Sequence, residues 1–99
     1  MKRLDDEFTL RGFFYKLLER NDFKAIYSQD DGNGHVWYEV IRIRVMPSGF
    51  HGYFGVELGE REVYPSDGQW GVSGWTYRRL VDAKRRYGRL RRSRRDRGV

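Results

Sequence analysis

Two imidazoles, His35 and His51, and the carboxylates Glu57, Glu60 and Glu62 are the side chains that could move a proton or hold a metal. Their spacing supports neither role. There is no His-x-x-x-His pair and no Ser or Thr in a nucleophile-elbow context. Nor does any glycine-rich strand-to-helix segment carry a phosphate-cradling Lys. The chain has no cysteine, which removes disulfides, thiol nucleophiles, thiolate zinc sites and iron–sulfur ligation together. Asp30-Asp31-Gly32-Asn33-Gly34 has the composition of a calcium loop, but the alternate positions after Asp30 are glycines and the twelfth position is Ile41. Asp, Asn and Gly in that order suit a tight turn instead. The expectation is a protein that is not an enzyme and uses no cofactor and no metal. The remaining enzymatic alternative is a small hydrolase or nuclease built on the two histidines and the Glu57–Glu62 cluster.

The other chemistry on offer is charge. Lys plus Arg number 20 against 14 for Asp plus Glu, a net charge of +6, yet the surplus is not spread evenly. Residues 84–99 hold nine basic side chains against Asp96 alone, whereas residues 1–83 hold 11 basic and 13 acidic. A block of like charge repels itself and buries no apolar surface, so it reads as a solvated arm. Tyr87 and Leu90 are the residues that could hold that arm to the body. The planar guanidinium fork suits phosphate, and a basic segment can follow a nucleic-acid backbone without reading its sequence. The candidate nucleic-acid-binding residues are therefore Lys84, Arg85, Arg86, Arg89, Arg91, Arg92, Arg94 and Arg95. Arg78 and Arg79 extend the basic face, and Arg42 and Arg44 join it if their sheet face is exposed. A tether to an acidic protein is the plainer alternative. Membrane insertion is disfavoured because no apolar residue lies between Leu90 and Val99.

A second candidate is aromatic. Trp70 and Trp75 stand in a stretch of Gly, Ser and Asp, where rings could stack on bases or anchor a protein partner. Equally, they could fold back to plug a small core, with Gly71 and Gly74 letting the backbone turn beside them.

The elements that must position these residues follow from periodicity. Leu10, Phe13, Phe14, Leu17 and Leu18 fall at i, i+3, i+4, i+7 and i+8, which predicts a helix capped by Thr9 or Asp6 and ending near Asn21. Phe23, Ala25 and Tyr27 alternate with polar residues as in a strand, and the acidic turn follows. His35 to Met46 carries the strongest β signal, with Val36, Tyr38 and Val40 on one face and Trp37, Ile41, Ile43 and Val45 on the other. Tyr53 to Leu58 and Arg61 to Tyr64 read as further strands, and 65–74 as a loop. A final helix from near Thr76 places Leu80, Ala83, Tyr87 and Leu90 on one stripe.

The order Trp37-Tyr38-Glu39-Val40, Glu62-Val63-Tyr64-Pro65-Ser66, Trp70-Gly71 and Gly74-Trp75-Thr76-Tyr77, before a helix containing Ala83, resembles small proteins of phages and related mobile elements. The likeness covers residues 35–87. It implies a compact accessory domain and carries over no catalytic residue.

Ninety-nine residues, 38% of them hydrophobic, suffice for one small core. The expected fold class is α+β, an antiparallel three- to four-stranded meander packed against an N-terminal and a C-terminal helix. A half-open barrel closed by the helices is the alternative. Residues 1–88 form the expected domain and 89–99 an arginine-rich C-terminal arm. No segment approaches the ~20 apolar residues of a membrane span. The chain is expected to be a cytoplasmic accessory protein that binds nucleic acid or another polyanion, with a protein-interaction module directed at a host factor as the rival.

Overall fold

The computed structural model describes residues 1–51, 56–65, 68 and 70–92. Its centre is a five-stranded antiparallel sheet made of β1 (Glu7–Leu10), β2 (Phe13–Arg20), β3 (Lys24–Asp30), β4 (Val36–Arg42) and β9 (Gly74–Tyr77), in that spatial order. Two short pairs stand beside it, β5 (Arg44–Met46) with β8 (Arg61–Val63) and β6 (Gly49–His51) with β7 (Val56–Leu58). Helix α1 (Leu80–Arg89) packs on β3, β4 and β9.

β3 and β4 are apolar on both faces, as strands with cover on each side must be. Ile26 and Val40 face α1 and join Ala83, Tyr87 and Leu90 in one cluster. Ala25, Tyr27, Ile41 and the following Ile43 face the other way with Tyr15 of β2, under Leu4, Phe8, Tyr64 and Trp70. Ile26, Tyr27, Val40 and Ile41 are wholly buried. The β3–β4 register sets Ile26 opposite Val40 and Tyr27 opposite Glu39.

The turn between β3 and β4 is built as its residues suggest. Asp30 Oδ1 accepts the Gly32 N–H (2.7 Å), Asp31 Oδ1 accepts the Asn33 N–H (2.8 Å), and Gly32 and Gly34 take φ of 80° and 90°. One oxygen of each aspartate is thereby committed to the backbone.

The N-terminal helix expected from Leu10, Phe13, Phe14, Leu17 and Leu18 is not formed; the segment is the β1–β2 hairpin. Apolar residues fill both parities of 13–18, so the helical spacing is contained within a two-residue alternation and periodicity does not separate them. Packing does. As a strand, β2 buries Tyr15 and stacks it on Phe8 (centroids 4.7 Å apart, planes within 8°), while a helix with that stripe would turn Tyr15 away. Arg11 and Gly12 make the reversal at φ of 54° and 84°. The sheet accordingly has more strands than the expected three or four. The last helix begins at Leu80 rather than near Thr76, because residues 74–77 pair with β4, Trp75 opposite Val40 and Thr76 opposite Glu39. The expected long strand from His35 to Met46 divides at Ile43, whose N–H bonds Phe23 O (2.8 Å), and β5 leaves for β8.

Two buried charged groups, Glu62 and Lys24, fasten segments that lie far apart in sequence. Arg20 grips Glu62 through two parallel hydrogen bonds of 2.8 Å, with side chains only 12% and 4% exposed. Glu62 also accepts the Leu4 N–H (2.9 Å), so the N-terminal segment is tied to β8 and β2 at one carboxylate. Lys24, buried at the start of β3, donates from Nζ to Tyr87 O (2.6 Å) and Leu90 O (3.2 Å) and lies 4.3 Å from the centroid of the Tyr87 ring. A cation at carbonyls left over at a helix C-terminus satisfies them and opposes the helix dipole. Lys24→Met keeps the apolar stem and removes the cap. It should lower unfolding free energy by about 1–3 kcal/mol, read from urea denaturation; an unchanged midpoint would mean that the cap contributes nothing.

Candidate functional site

Helix α1 has its orientation decided from inside. Ala83 and Tyr87, with Leu90 just beyond the C-terminus, pack against β3 and β4, so Lys84, Arg85 and Arg89 are carried to the outside. Between Leu80 and Arg92 there are six basic side chains and one acid, Asp82. The candidate cations divide into two groups by what they touch.

The first group is engaged within the molecule. Asp82 is shared by Arg79 (Nε to Oδ2, 3.1 Å) and Arg85 (Nη1 to Oδ1, 3.7 Å). Arg86 lies 4.8 Å from the Trp75 ring centroid and donates from Nε to the Tyr77 hydroxyl (2.8 Å). Arg92 reaches Asp22 (3.6 Å) and lies 5.0 Å from the Phe23 ring centroid. Both Asp82 contacts are exposed, so water screens them and little free energy holds them in place. The second group, Arg78, Lys84, Arg89 and Arg91, is exposed and makes no side-chain ion pair among the described residues. Arg42 donates from Nη1 to Arg91 O (2.7 Å), which fixes where the chain leaves the helix, and Arg44 is exposed on β5. Arg94, Arg95 and Arg97 lie outside the described residues.

The two tryptophans part company. Trp75 sits on the α1 face of β9, half-buried between the helix cluster and Arg86. Trp70 packs on the opposite face against Tyr64 and over Gly74, where a Cβ would overlap the indole. Both fold back onto the body. Each keeps part of its ring accessible.

Among the described residues, no candidate acid–base pair forms from His35, Glu60 and Glu62. His35 is exposed with Nδ1 3.0 Å from Asp31 Oδ2, Glu62 is occupied by Arg20, and the side chains of His51 and Glu57 lie outside the described residues. No group of three or more potential metal ligands occurs among the described residues.

One residue of chemical interest was not singled out from sequence. Glu39, 3% exposed at the middle of β4, accepts hydrogen bonds from the Tyr64 hydroxyl (3.0 Å) and the Thr76 hydroxyl (3.1 Å), and Tyr15 bonds it as well. The Tyr15 hydroxyl in turn accepts from Gln29 Nε2 (2.9 Å). The signal for it was an acid placed between apolar neighbours in a strand buried on both faces. Burial pushes the Glu39 carboxyl above its usual range, and burial beside Glu39 keeps the Tyr64 phenol protonated. The Arg20 hydrogen bonds hold Glu62 below it.

No protein-family model, no curated protein and no solved structure matches this chain.

Two outcomes follow from this geometry. Gly74→Ala forces a methyl into the Trp70 ring and should cost about 1–3 kcal/mol, as overpacking does. A shifted tryptophan emission would accompany the lower melting temperature, and an unchanged melt would show that the ring has room to move. The two buried acids also oppose one another in pH dependence. Glu62, with its folded pKa depressed, adds stability that is present above its unfolded pKa and lost as pH falls through the folded value. Glu39, with its folded pKa raised, binds a proton at a higher pH in the folded chain than in the unfolded one, so stability recovers as pH falls through that value. Glu39→Gln removes the compensating member, and its stability should fall more steeply than wild type on acidification, measured by denaturant titrations across the acid range. Parallel curves would contradict the assignment.

Proposed function

We propose that the chain is a phage-type accessory protein that binds nucleic acid, or a polyanion of like charge density, through the outward face of α1 and the arginine-rich segment that follows, and that it does so without catalysis. The observation that carries this reading is the way Ala83, Tyr87 and Leu90 bury one side of the helix and so present Lys84, Arg85 and Arg89 to solvent, continuous with Arg91 and Arg92. Arg78 and Arg79 extend the same basic region before the helix. Contact with phosphate by such a row positions the protein on a backbone and reads no sequence. The Arg79 and Arg85 contacts with Asp82 are weak enough to exchange for phosphate, whereas Arg86 on Trp75 is better placed to brace the helix.

The cytoplasm is the compartment this reading implies. Among the described residues no helix is long and apolar enough to cross a membrane.

A protein-binding role is the second reading. Phe14 and Leu18 of β2 are 44% and 43% exposed on the sheet face that α1 covers only over β3, β4 and β9. With Lys16 between them they are two apolar anchors that a partner could cover, and a host protein would be retained on them at high salt.

Titration of a labelled duplex with the full chain should give a log–log salt slope of about −4 to −5, the value for roughly five phosphate contacts. The triple variant Lys84→Gln, Arg85→Gln, Arg89→Gln keeps the buried side of α1 and should flatten that slope by about 2 to 3. If the variant binds as tightly as the full chain with the same slope, the helix is not the interface. If neither binds at low salt, the protein-binding reading takes its place.

A further inference from the structure

On the sheet face opposite α1, beside the β1–β2 turn, lies a cavity of about 360 Å³. Phe13, Tyr15, Tyr64 and Trp70 wall it, with Gln29 and Glu39 also in its lining. Its size is at the small end of ligand pockets. The rings do not stack flat: Tyr15 and Tyr64 meet at 66° with centroids 5.7 Å apart, and Tyr64 and Trp70 at 64° with centroids 6.4 Å apart. Successive rings therefore turn corners around the space.

The charge of the lining is what distinguishes it. Among the described residues three charged side chains are buried, Lys24, Glu39 and Glu62. Glu62 has the Arg20 guanidinium, and Lys24 has two carbonyls and an aromatic face. Glu39 has neutral hydroxyl partners only, from Tyr64, Thr76 and Tyr15, and no cation touches it among the described residues. Hydroxyls orient a carboxylate without cancelling its charge, and a buried charge without a counterion is costly. Aromatic faces carry negative potential as well. Carboxylate and rings thus favour the same kind of guest. Arg11 also lines the cavity and its charge reaches the Tyr15 hydroxyl, but it is exposed on the β1–β2 turn and already engaged, so water screens it more than it screens the buried Glu39.

We propose that this cavity binds a small organic cation, an alkylammonium or quaternary ammonium group, seated against the faces of Tyr15, Tyr64 and Trp70 with its charge toward Glu39. Cages of aromatic side chains are a recurring solution for such ions. The site is independent of the basic helix, which lies across the sheet.

The test needs only the intact chain. Tryptophan emission and the aromatic proton resonances are followed at about pH 7 during titration with choline and with n-butylammonium. The neutral isosteres 3,3-dimethyl-1-butanol and n-butanol are titrated in parallel. At least one cation should perturb the Trp70, Tyr15 and Tyr64 signals in a saturable way, with its neutral isostere roughly tenfold weaker or absent. Glu39→Gln, checked for folding by circular dichroism, should lose the same tenfold. If that variant does not fold, the wild-type comparison of each cation with its isostere decides alone. Equal binding of the neutral isosteres, or no saturable response to either cation, overturns the proposal, as does acetate or phosphate perturbing these signals where the cations do not.

Discussion

Burial of β3 and β4 on both faces is the constraint from which the rest of the molecule follows. Ile26 and Val40 require cover on one side, and Ala25, Tyr27 and Ile41 require it on the other. One strand pair cannot supply either cover, so each face recruits what the chain can reach. Toward one side comes α1. Toward the other come the start of the chain and the segment after β8, with Leu4, Tyr64 and Trp70. Because successive residues of a strand point to opposite faces, the same pairing that sets Val40 beside Trp75 under the helix sets Glu39 beside Thr76 under Tyr64. The basic surface and the aromatic cavity are consequences of one register.

The three buried charges show how differently a small domain can accommodate ions. Arg20 and Glu62 neutralise one another in a bidentate pair that also collects the Leu4 N–H. Such a pair is expensive to break from one side, because the survivor is left buried without a counterion. Lys24 is stabilised by the carbonyls at the end of α1, and its ammonium determines where the helix stops and where the following arginines emerge. Glu39 is held, among the described residues, by hydroxyls. The first two are fasteners of the fold, and the third is an acid held in place beside open space.

Much of the secondary structure was legible in the sequence where local chemistry and period agreed. The alternation of Phe23, Ala25 and Tyr27, the Asp–Asn–Gly turn at 30–34 and the stripe of Leu80, Ala83, Tyr87 and Leu90 appear in the structure as the elements they suggested. Where both periods were populated, as in Phe13 to Leu18, the pattern pointed to a helix and the structure has a strand. The difference lies in Tyr15 and Phe8, whose burial depends on β3 being alongside. Gly74 to Tyr77 is similar. Its pairing with β4 depends on a strand more than thirty residues away in sequence, and so the local pattern alone starts the last helix too early.

Of the candidate sites, the basic run was visible as composition, and so was its separation from a nearly neutral body. Composition could not say which guanidinium groups would find Asp22, Trp75 or Phe23, since those partners are brought near by folding. Glu39 was one acid among fourteen. By itself the sequence determined the strand and turn chemistry, the apolar side of the last helix and the location of the positive charge, because these depend on residue type and on neighbours a few positions away. Only the tertiary structure decided that the N-terminal segment would be strands, that Trp70 and Trp75 would take opposite faces, and that Glu39 would lie buried against the hydroxyls of Tyr64 and Thr76. Each of those outcomes is set by contacts between residues far apart in the chain, and no local pattern encodes them.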